Sequence, residues 1–231
     1  MIDLHSHILP GMDDGSKNVE ESRALLAMLK EQGVTAVVAT PHFYPHRETP
    51  ESFLQRRADC AARLGNGELP LLLGAEVAYF SGISHSGELS KMQIGDTGFV
   101  LVEMPFKPWT DRIIREILEI PARQGLIPVL AHVDRYRSRE QFPKYARQLL
   151  ENDVLFQCNA EVFERFFGRQ WALKQLRKGY IHFLGSDCHN LENRRPKLDI
   201  AADAIVKKLG TAALEDFNAQ ASRFVFPEYI V

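Results

Sequence analysis

Short apolar runs alternate with stretches of helical spacing along the whole of this 231-residue chain, and that alternation restricts the fold more than any other feature. Seven runs, at 2–4, 34–39, 71–77, 99–103, 127–132, 154–158 and 181–185, read as strands. The run at 34–39 is continuous and β-branched, the pattern of a strand covered on both faces. Residues 18–32 read as a helix. Asn18 offers the cap, Glu21 stands three residues on, Leu25, Leu26 and Leu29 form a stripe, and Gly33 ends it. Further helices are expected at 49–64, 111–124, 141–151, 170–178 and 197–209. A short helix at 211–218 and an apolar tail at 224–231 are expected to dock on the rest.

Strands alternating with helices imply a parallel α/β sheet. Seven of them suggest a closed or nearly closed barrel, with an open doubly wound sheet as the alternative. No G-x-G-x-x-G or P-loop follows the first strand, which argues against the open nucleotide-binding sheet. No linker, repeat or low-complexity segment interrupts the alternation, so a single domain over 1–231 is expected.

Composition excludes several function classes. The net charge is −2, with no run of five like charges, so nothing attracts nucleic acid or an anionic membrane surface. No apolar run approaches the ~20 residues of a membrane helix. The start shows no signal-peptide pattern, and the three cysteines, Cys60, Cys158 and Cys188, form no framework. Both features point to a reducing cytoplasm.

In parallel barrels the chemistry sits at the carboxyl ends of the strands. The first strand delivers His5 and His7, whose i, i+2 spacing turns both imidazoles to one side, and then a turn with Asp13, Asp14 and Gly15. The next strands deliver Thr40-Pro41-His42, Gly74-Ala75-Glu76, Glu103, His132 and Asn159, and the last delivers Gly185-Ser186-Asp187-Cys188-His189. One histidine at a strand end is ordinarily a surface or satisfied core residue. Six ends offering a possible ligand in register are not so explained, and buried carboxylates such as Glu76 and Glu103 are costly without cations. His5, His7, Asp14, His42, Glu76, Glu103, His132, Asp187 and His189 are too many for one metal ion. They suit two or three divalent ions sharing carboxylates, a centre that activates water and stabilises phosphoryl transfer. The mixed nitrogen and oxygen set favours manganese, iron or zinc over magnesium alone.

Together, His5-Ser-His7, the Asp13-Asp14-Gly15 turn, Thr40-Pro41-His42, Gly74-Ala75-Glu76-Val77, Glu103, His132 and Gly185-Ser-Asp187-Cys-His189 resemble the polymerase-and-histidinol-phosphatase (PHP) superfamily. The opening His-Ser-His-Ile-Leu-Pro-Gly-Met-Asp-Asp-Gly resembles its bacterial tyrosine-phosphatase branch, the capsular and exopolysaccharide regulators. The resemblance covers residues 2 to about 200. It implies a distorted (β/α)7 TIM-like barrel and a trinuclear centre, with Mn2+ as first candidate and Fe or Zn as alternatives. It also implies a partition of ligands: His5, His7, Glu76 and Asp187 on one ion; His42, His132 and bridging Glu76 on the second; Asp14, Glu103 and His189 on the third. Arg135 and Arg194 match the two arginines that bind phosphate in that branch, where a guanidinium fork fits phosphate bidentately. His42 and Asp187 are further candidates for proton transfer. The implied substrate is phosphotyrosine in a protein, namely the tail of a capsule-type tyrosine autokinase. Where the branch has His-Pro-Glu-Arg-Tyr, this chain has His132-Val133-Asp134-Arg135-Tyr136.

Cys188 and Arg194 also satisfy C-x5-R, the spacing of cysteine-dependent tyrosine phosphatases. The intervening His-Asn-Leu-Glu-Asn lacks glycine and carries a carboxylate, a poor phosphate cradle. Phe43, Tyr44, Phe106, Trp109 and Tyr136 are candidate walls for a phenyl ring. The long irregular segment 78–95 is a candidate lid. His46, His85 and His182 belong to no motif and read as structural or exposed. Rival functions are a small-molecule phosphatase of the histidinol-phosphate type, a nuclease or editing module, and a non-enzymatic interaction domain.

Overall fold

The computed structural model describes residues 1–65, 67–137 and 141–225. Nine strands occur in it: β1 (Ile2–Ser6), β2 (Ala36–Ala39), β3 (His42–Phe43), β4 (Leu71–Leu73), β5 (Glu76–Ala78), β6 (Phe99–Glu103), β7 (Ile127–Leu130), β8 (Leu155–Asn159) and β9 (Phe183–Gly185). All pairings are parallel, in the orders β1-β2-β4 and β3-β5-β6-β7-β8-β9.

The nine are the seven expected strands, with the third broken in two and the second resuming beyond its expected end at 39 as β3. The second strand breaks at Thr40-Pro41, because proline has no N–H for the ladder. The third breaks opposite, at Gly74-Ala75. Pairing nevertheless continues across the break, since Gly74 N–H donates to Ala39 O (2.8 Å) and Glu76 N–H to Pro41 O (3.0 Å). The barrel closes between β1 and β9. Asp187 N–H donates to His5 O (2.7 Å), His7 N–H donates to Cys188 O (3.0 Å), and Ser6 bridges Cys188. Buried Asp3 fastens this seam, accepting from Ser186 N (2.7 Å) and Ser186 Oγ (2.6 Å). Burial pushes its carboxyl up to about 6, against the pull of the Ser186 hydrogen bonds.

The helices are α1 (Val19–Glu31), α2 (Pro50–Leu64), α3 (Asp111–Gln124), α4 (Gln141–Leu150), α5 (Phe166–Arg177), α6 (Leu198–Leu209) and α7 (Thr211–Val225). Their starts follow capping chemistry. Asn18 accepts from Glu21 N–H (2.9 Å), while the Glu21 carboxylate accepts from Lys17 N–H (2.8 Å). Thr49 and Thr110 cap α2 and α3. Two helices depart from expectation. α5 begins four residues early, since Phe166 and Phe167 are 65% and 85% exposed and add nothing to a buried stripe. α7 continues well beyond 218, so Phe224 and Val225 are helical rather than tail; 226–231 lie outside the described residues.

Most of the strands are buried on both faces, β4 being half-buried throughout. Ile2, Leu4, Val38, Phe99, Leu101, Val129 and Phe183 fill one cluster, and the end of α7 joins it. Phe224 packs edge-on against Phe99 (5.6 Å) and Phe183 (6.0 Å), near the amino-terminal ends of β6 and β9. The alternate residues, such as Val37, Val100, Val102 and Leu130, pack in the cluster that includes the helices. Hydrophobic burial thus covers the strands and one end of the barrel, and the polar residues gather at the carboxyl end.

Segment 78–95 is anchored. Ile83, Leu89 and Met92 are buried, Gly82 N–H and Tyr79 Oη both donate to Glu116 of α3, and Gln124 donates to Ile83 O. These contacts tie the candidate lid segment to α3 at residues 79–83.

Candidate metal centre

His5 stands at the end of β1 and His7 just past it. Asp13 and Asp14 follow on the turn after β1, His42 is on β3, Glu76 on β5, Glu103 on β6, His132 just beyond β7, and Asp187 and His189 just beyond β9. Two residues of close approach make this possible. A Cβ on Gly15 would lie 2.1 Å from His7 O, and a Cβ on Gly185 would lie 2.6 Å from the His5 Cβ. Only glycine lets the turn fold back on His7 and β9 pass His5. His132 (φ 33°) and Asp187 (φ 50°) adopt left-handed backbone, a conformation that non-glycine residues hold mainly where surroundings impose it.

Glu76 is the centre of the cluster. Its Oε2 lies 3.4 Å from the Nε2 atoms of both His5 and His7 and 2.8 Å from His42 Nδ1, and its Oε1 is 2.9 Å from His132 Nε2. Asp187 Oδ1 is 3.8 Å from His5 Nε2 and 3.5 Å from His7 Nε2. Asp14 Oδ1 meets His42 Nε2 (3.5 Å) and His189 Nε2 (3.4 Å). Glu103 meets His132 Nε2 at 3.4 Å. All nine side chains are therefore within reach of a common cluster.

The grouping differs in several respects from the partition the family resemblance implies: Glu76 does not group with His5, His7 and Asp187, His132 joins none of the sets, His7 and His42 stand with Asp14 and His189, and Glu103 changes set. Candidate donor atoms lie within 4.8 Å of one another in three sets: His5, His7 and Asp187; His42, Glu76 and Glu103; His7, Asp14, His42 and His189. Glu103 stands with His42 and Glu76 rather than with Asp14 and His189, because β6 pairs directly with β5 in the register Ala78 to Glu103.

The donor chemistry fits cations. His132 Nδ1 is buried without a partner, but three histidines have an acceptor for the ring nitrogen that faces away from the cluster: His5 Nδ1 donates to Gln157 Oε1 (3.1 Å), His7 Nδ1 to Asp13 Oδ2 (2.7 Å), and His189 Nδ1 to Asp187 O (2.9 Å). Those partners assign the tautomer, so each Nε2 presents a lone pair inward. His42 Nδ1, Glu76 Oε2 and His189 Nε2 are buried and make no hydrogen bond. Buried acceptors facing acceptors are costly unless a positive charge lies between them. Without a cation the same demand for positive charge falls on the His7 imidazole, which the Asp13 and Glu76 carboxylates raise to about 10 against its burial.

Gln157 escaped the sequence reading, which named Asp13, Asn159 and Asp134 without a supporting role for them. Asp13 holds His7 and also accepts from Gly15 N–H and His42 N–H. Gln157 accepts from His132 N–H (2.7 Å) and donates to Asn159, which donates to Asp187 Oδ2 (2.8 Å). Its signal was present, since Gln157 is a polar residue inside a buried strand. Asp134, the departure from the family's fifth-strand pattern, is buried and accepts from Asn159 N–H (2.8 Å), tying this loop to β8.

Arg135 and Arg194 stand at the rim, each about a third exposed. Both donate to Asp187, Arg194 at 2.8 Å. Tyr44 stacks on His42 (5.2 Å, 29°) and Phe106 on His132 (6.0 Å, 16°). Phe43, Trp109 and Tyr136 are buried core residues, and the Tyr136 hydroxyl donates to Met104 O, so these three are not walls of the site. Cys188 is fully buried, and burial pushes its thiol well above the usual range. It lacks the accessible thiolate that a cysteine mechanism requires. His46 and His85 are exposed, and His182 Nδ1 accepts from Phe156 N–H (3.1 Å).

Comparison with known proteins places this arrangement. The chain is 32% identical to the tyrosine-protein phosphatase CpsB of Streptococcus pneumoniae over 248 residues, covering all of both chains. It is 29% identical to the tyrosine-protein phosphatase YwqE of Bacillus subtilis (strain 168), covering 91% of this chain and 86% of that one. The fold matches a crystal structure from work on YwqE and CpsB, described as unique metal-dependent tyrosine phosphatases, with TM-score 0.84, 24% identity and coverage of 97% and 94%. A histidinol phosphate phosphatase from Lactococcus lactis shares the fold at TM-score 0.56 and 14% identity, covering 92% and 93%. Residues 1–226 match the family model for capsular polysaccharide synthesis, CpsB/CapC, and the chain belongs to that family.

Proposed function

We propose that this protein is a metal-dependent phosphatase that hydrolyses phosphotyrosine in a protein substrate, acting in capsular or exopolysaccharide synthesis. The observation that carries the reading is the set of inward-facing imidazole nitrogens of His5, His7 and His189 opposed to Glu76, Asp187 and Asp14. Two or three divalent cations held by the nine side chains supply water activation and neutralise phosphoryl charge, and manganese is the first candidate, then iron or zinc.

The protein's own groups do the rest. Gln157 and Asp13 hold His5 and His7 in one tautomer. Arg135 and Arg194 stand where a phosphoryl group entering from solvent meets two guanidinium forks. Phe106, stacked on His132, and Tyr44, stacked on His42, set aromatic rings on two sides of the cluster. Of the two residues expected to move protons, Asp187 already accepts from Arg135, Arg194 and Asn159, which leaves His42, partly exposed beside the entrance. A tyrosinate leaving group, with an ordinary pKa near 10, needs less protonation than an alkoxide. The substrate that suits these features is the phosphorylated tyrosine-rich tail of a bacterial autokinase, met in the cytoplasm.

Chelation with EDTA followed by Mn2+ addition, assayed on a phosphotyrosyl peptide and on histidinol phosphate, tests the reading. Activity abolished and restored, with preference for the peptide, is expected. Activity that survives chelation, or a clear preference for histidinol phosphate, overturns it.

A further inference from the structure

A cavity of about 600 Å3 opens directly beside the metal centre. Its inner wall is Asp14 and His42, and its outer wall is Tyr44, Arg47, Glu48 and Arg56, from β3, the turn after it and α2. The sequence motifs do not extend to this outer wall, and the ligand cluster does not use it.

The charges in the cavity do not cancel evenly. Asp14 is engaged with His42, His189 and Arg194. Glu48 faces Arg56 at 3.5 Å, and Arg56 also donates to Met12 O. Arg47 has no carboxylate partner among the described residues. Its guanidinium lies 4.4 Å above the Tyr44 ring, whose centroid is 5.2 Å from that of His42. These two steps place the Arg47 charge within about 10 Å of His42. An extended polypeptide advances about 3.3–3.6 Å per residue, so that distance spans two or three residues.

We propose that this cavity receives the polypeptide flanking the phosphotyrosine, and that Arg47 selects an acidic side chain there. The proposal rests on the phosphotyrosine reading above and adds a sequence preference to it. A flanking glutamate or aspartate finds an exposed, uncompensated guanidinium already held in place by the Tyr44 face. A flanking lysine or arginine meets like charge at the same point.

The test uses phosphotyrosyl peptides that carry Glu or Lys at each of the two positions on either side of the phosphotyrosine. The readout is the ratio of kcat/KM for the Glu peptide to that for the Lys peptide, measured on the full chain loaded with Mn2+. An exposed pair is worth a few-fold, so the wild-type ratio is expected near 3–10 at one or more positions. It should fall toward 1 in Arg47→Ala and invert in Arg47→Glu. Binding of the matching non-hydrolysable phosphonate peptides, read by fluorescence anisotropy, should show the same order. Hydrolysis without flank preference, or a preference that Arg47→Glu leaves in place, overturns the subsite alone. Absence of phosphotyrosyl hydrolysis by the wild type overturns the phosphotyrosine reading and the subsite with it.

Discussion

The Nε2 atoms of His5 and His7 face each other 3.1 Å apart, and both opposite ring nitrogens are committed as donors, to Gln157 and Asp13. Two lone pairs at that distance repel unless a cation stands near both. The partners on the far nitrogens are therefore part of the centre's design. Asp13→Asn keeps the shape but loses the carboxylate that fixes the His7 tautomer. Metal affinity, measured by competition with a chelator, should drop about 10–100-fold. Unchanged affinity would show that Asp13 only shapes the turn.

Arg194 and Arg135 share Asp187 from the rim. Arg194→Lys keeps the charge and removes the fork. A loss of about 10–100-fold in kcat/KM for a phosphotyrosyl peptide is expected, with metal content by mass spectrometry unchanged. A parallel loss of metal would mean that the arginine acts mainly by positioning Asp187.

Gly185→Ala should disturb stability and site together. The added Cβ would come within 2.6 Å of the His5 Cβ and 2.7 Å of Gln157 Nε2. Overpacking of this kind costs about 1–3 kcal/mol, readable as a lower urea midpoint. Because His5 is one of the two atoms squeezed, metal content should fall as well. A variant with wild-type midpoint and metal content would show that β9 shifts without consequence.

His182 supplies a pH dependence away from the metal centre. Burial lowers its imidazole from 6.5 to about 4, and the Phe156 N–H that donates to Nδ1 suits the neutral ring. Between these values the unfolded chain binds a proton that the folded chain refuses. Stability is therefore full above about pH 6.5 and falls as the pH drops toward 4, by at most about 3 kcal/mol. In His182→Gln the acid limb of unfolding free energy against pH should flatten over that window. An acid limb of the same slope in both proteins would refute the assignment.

The candidate ligand set was legible because its signal is local. Each candidate ligand follows an apolar run, and a parallel barrel gathers strand ends at one mouth whatever the exact register. For the same reason the helix caps at Asn18 and Thr49 could be read directly, since capping is settled within four residues. Other features needed contacts between residues far apart in the chain. Glu103 stands with His42 because β6 lies against β5. Segment 78–95 is pinned by Glu116 and Gln124, which are more than thirty residues away.

By itself the sequence determined the alternation of strands and helices, the nine polar groups at the strand ends and the two arginines beside them, because period, punctuation and residue chemistry are properties of the chain. Tertiary structure alone decided which nitrogen of each histidine faces inward, which carboxylate joins which imidazole, which aromatics line the mouth and which fill the core, and that Arg47 has no carboxylate partner among the described residues. Those depend on distances across the barrel, and packing, not spacing along the chain, sets them.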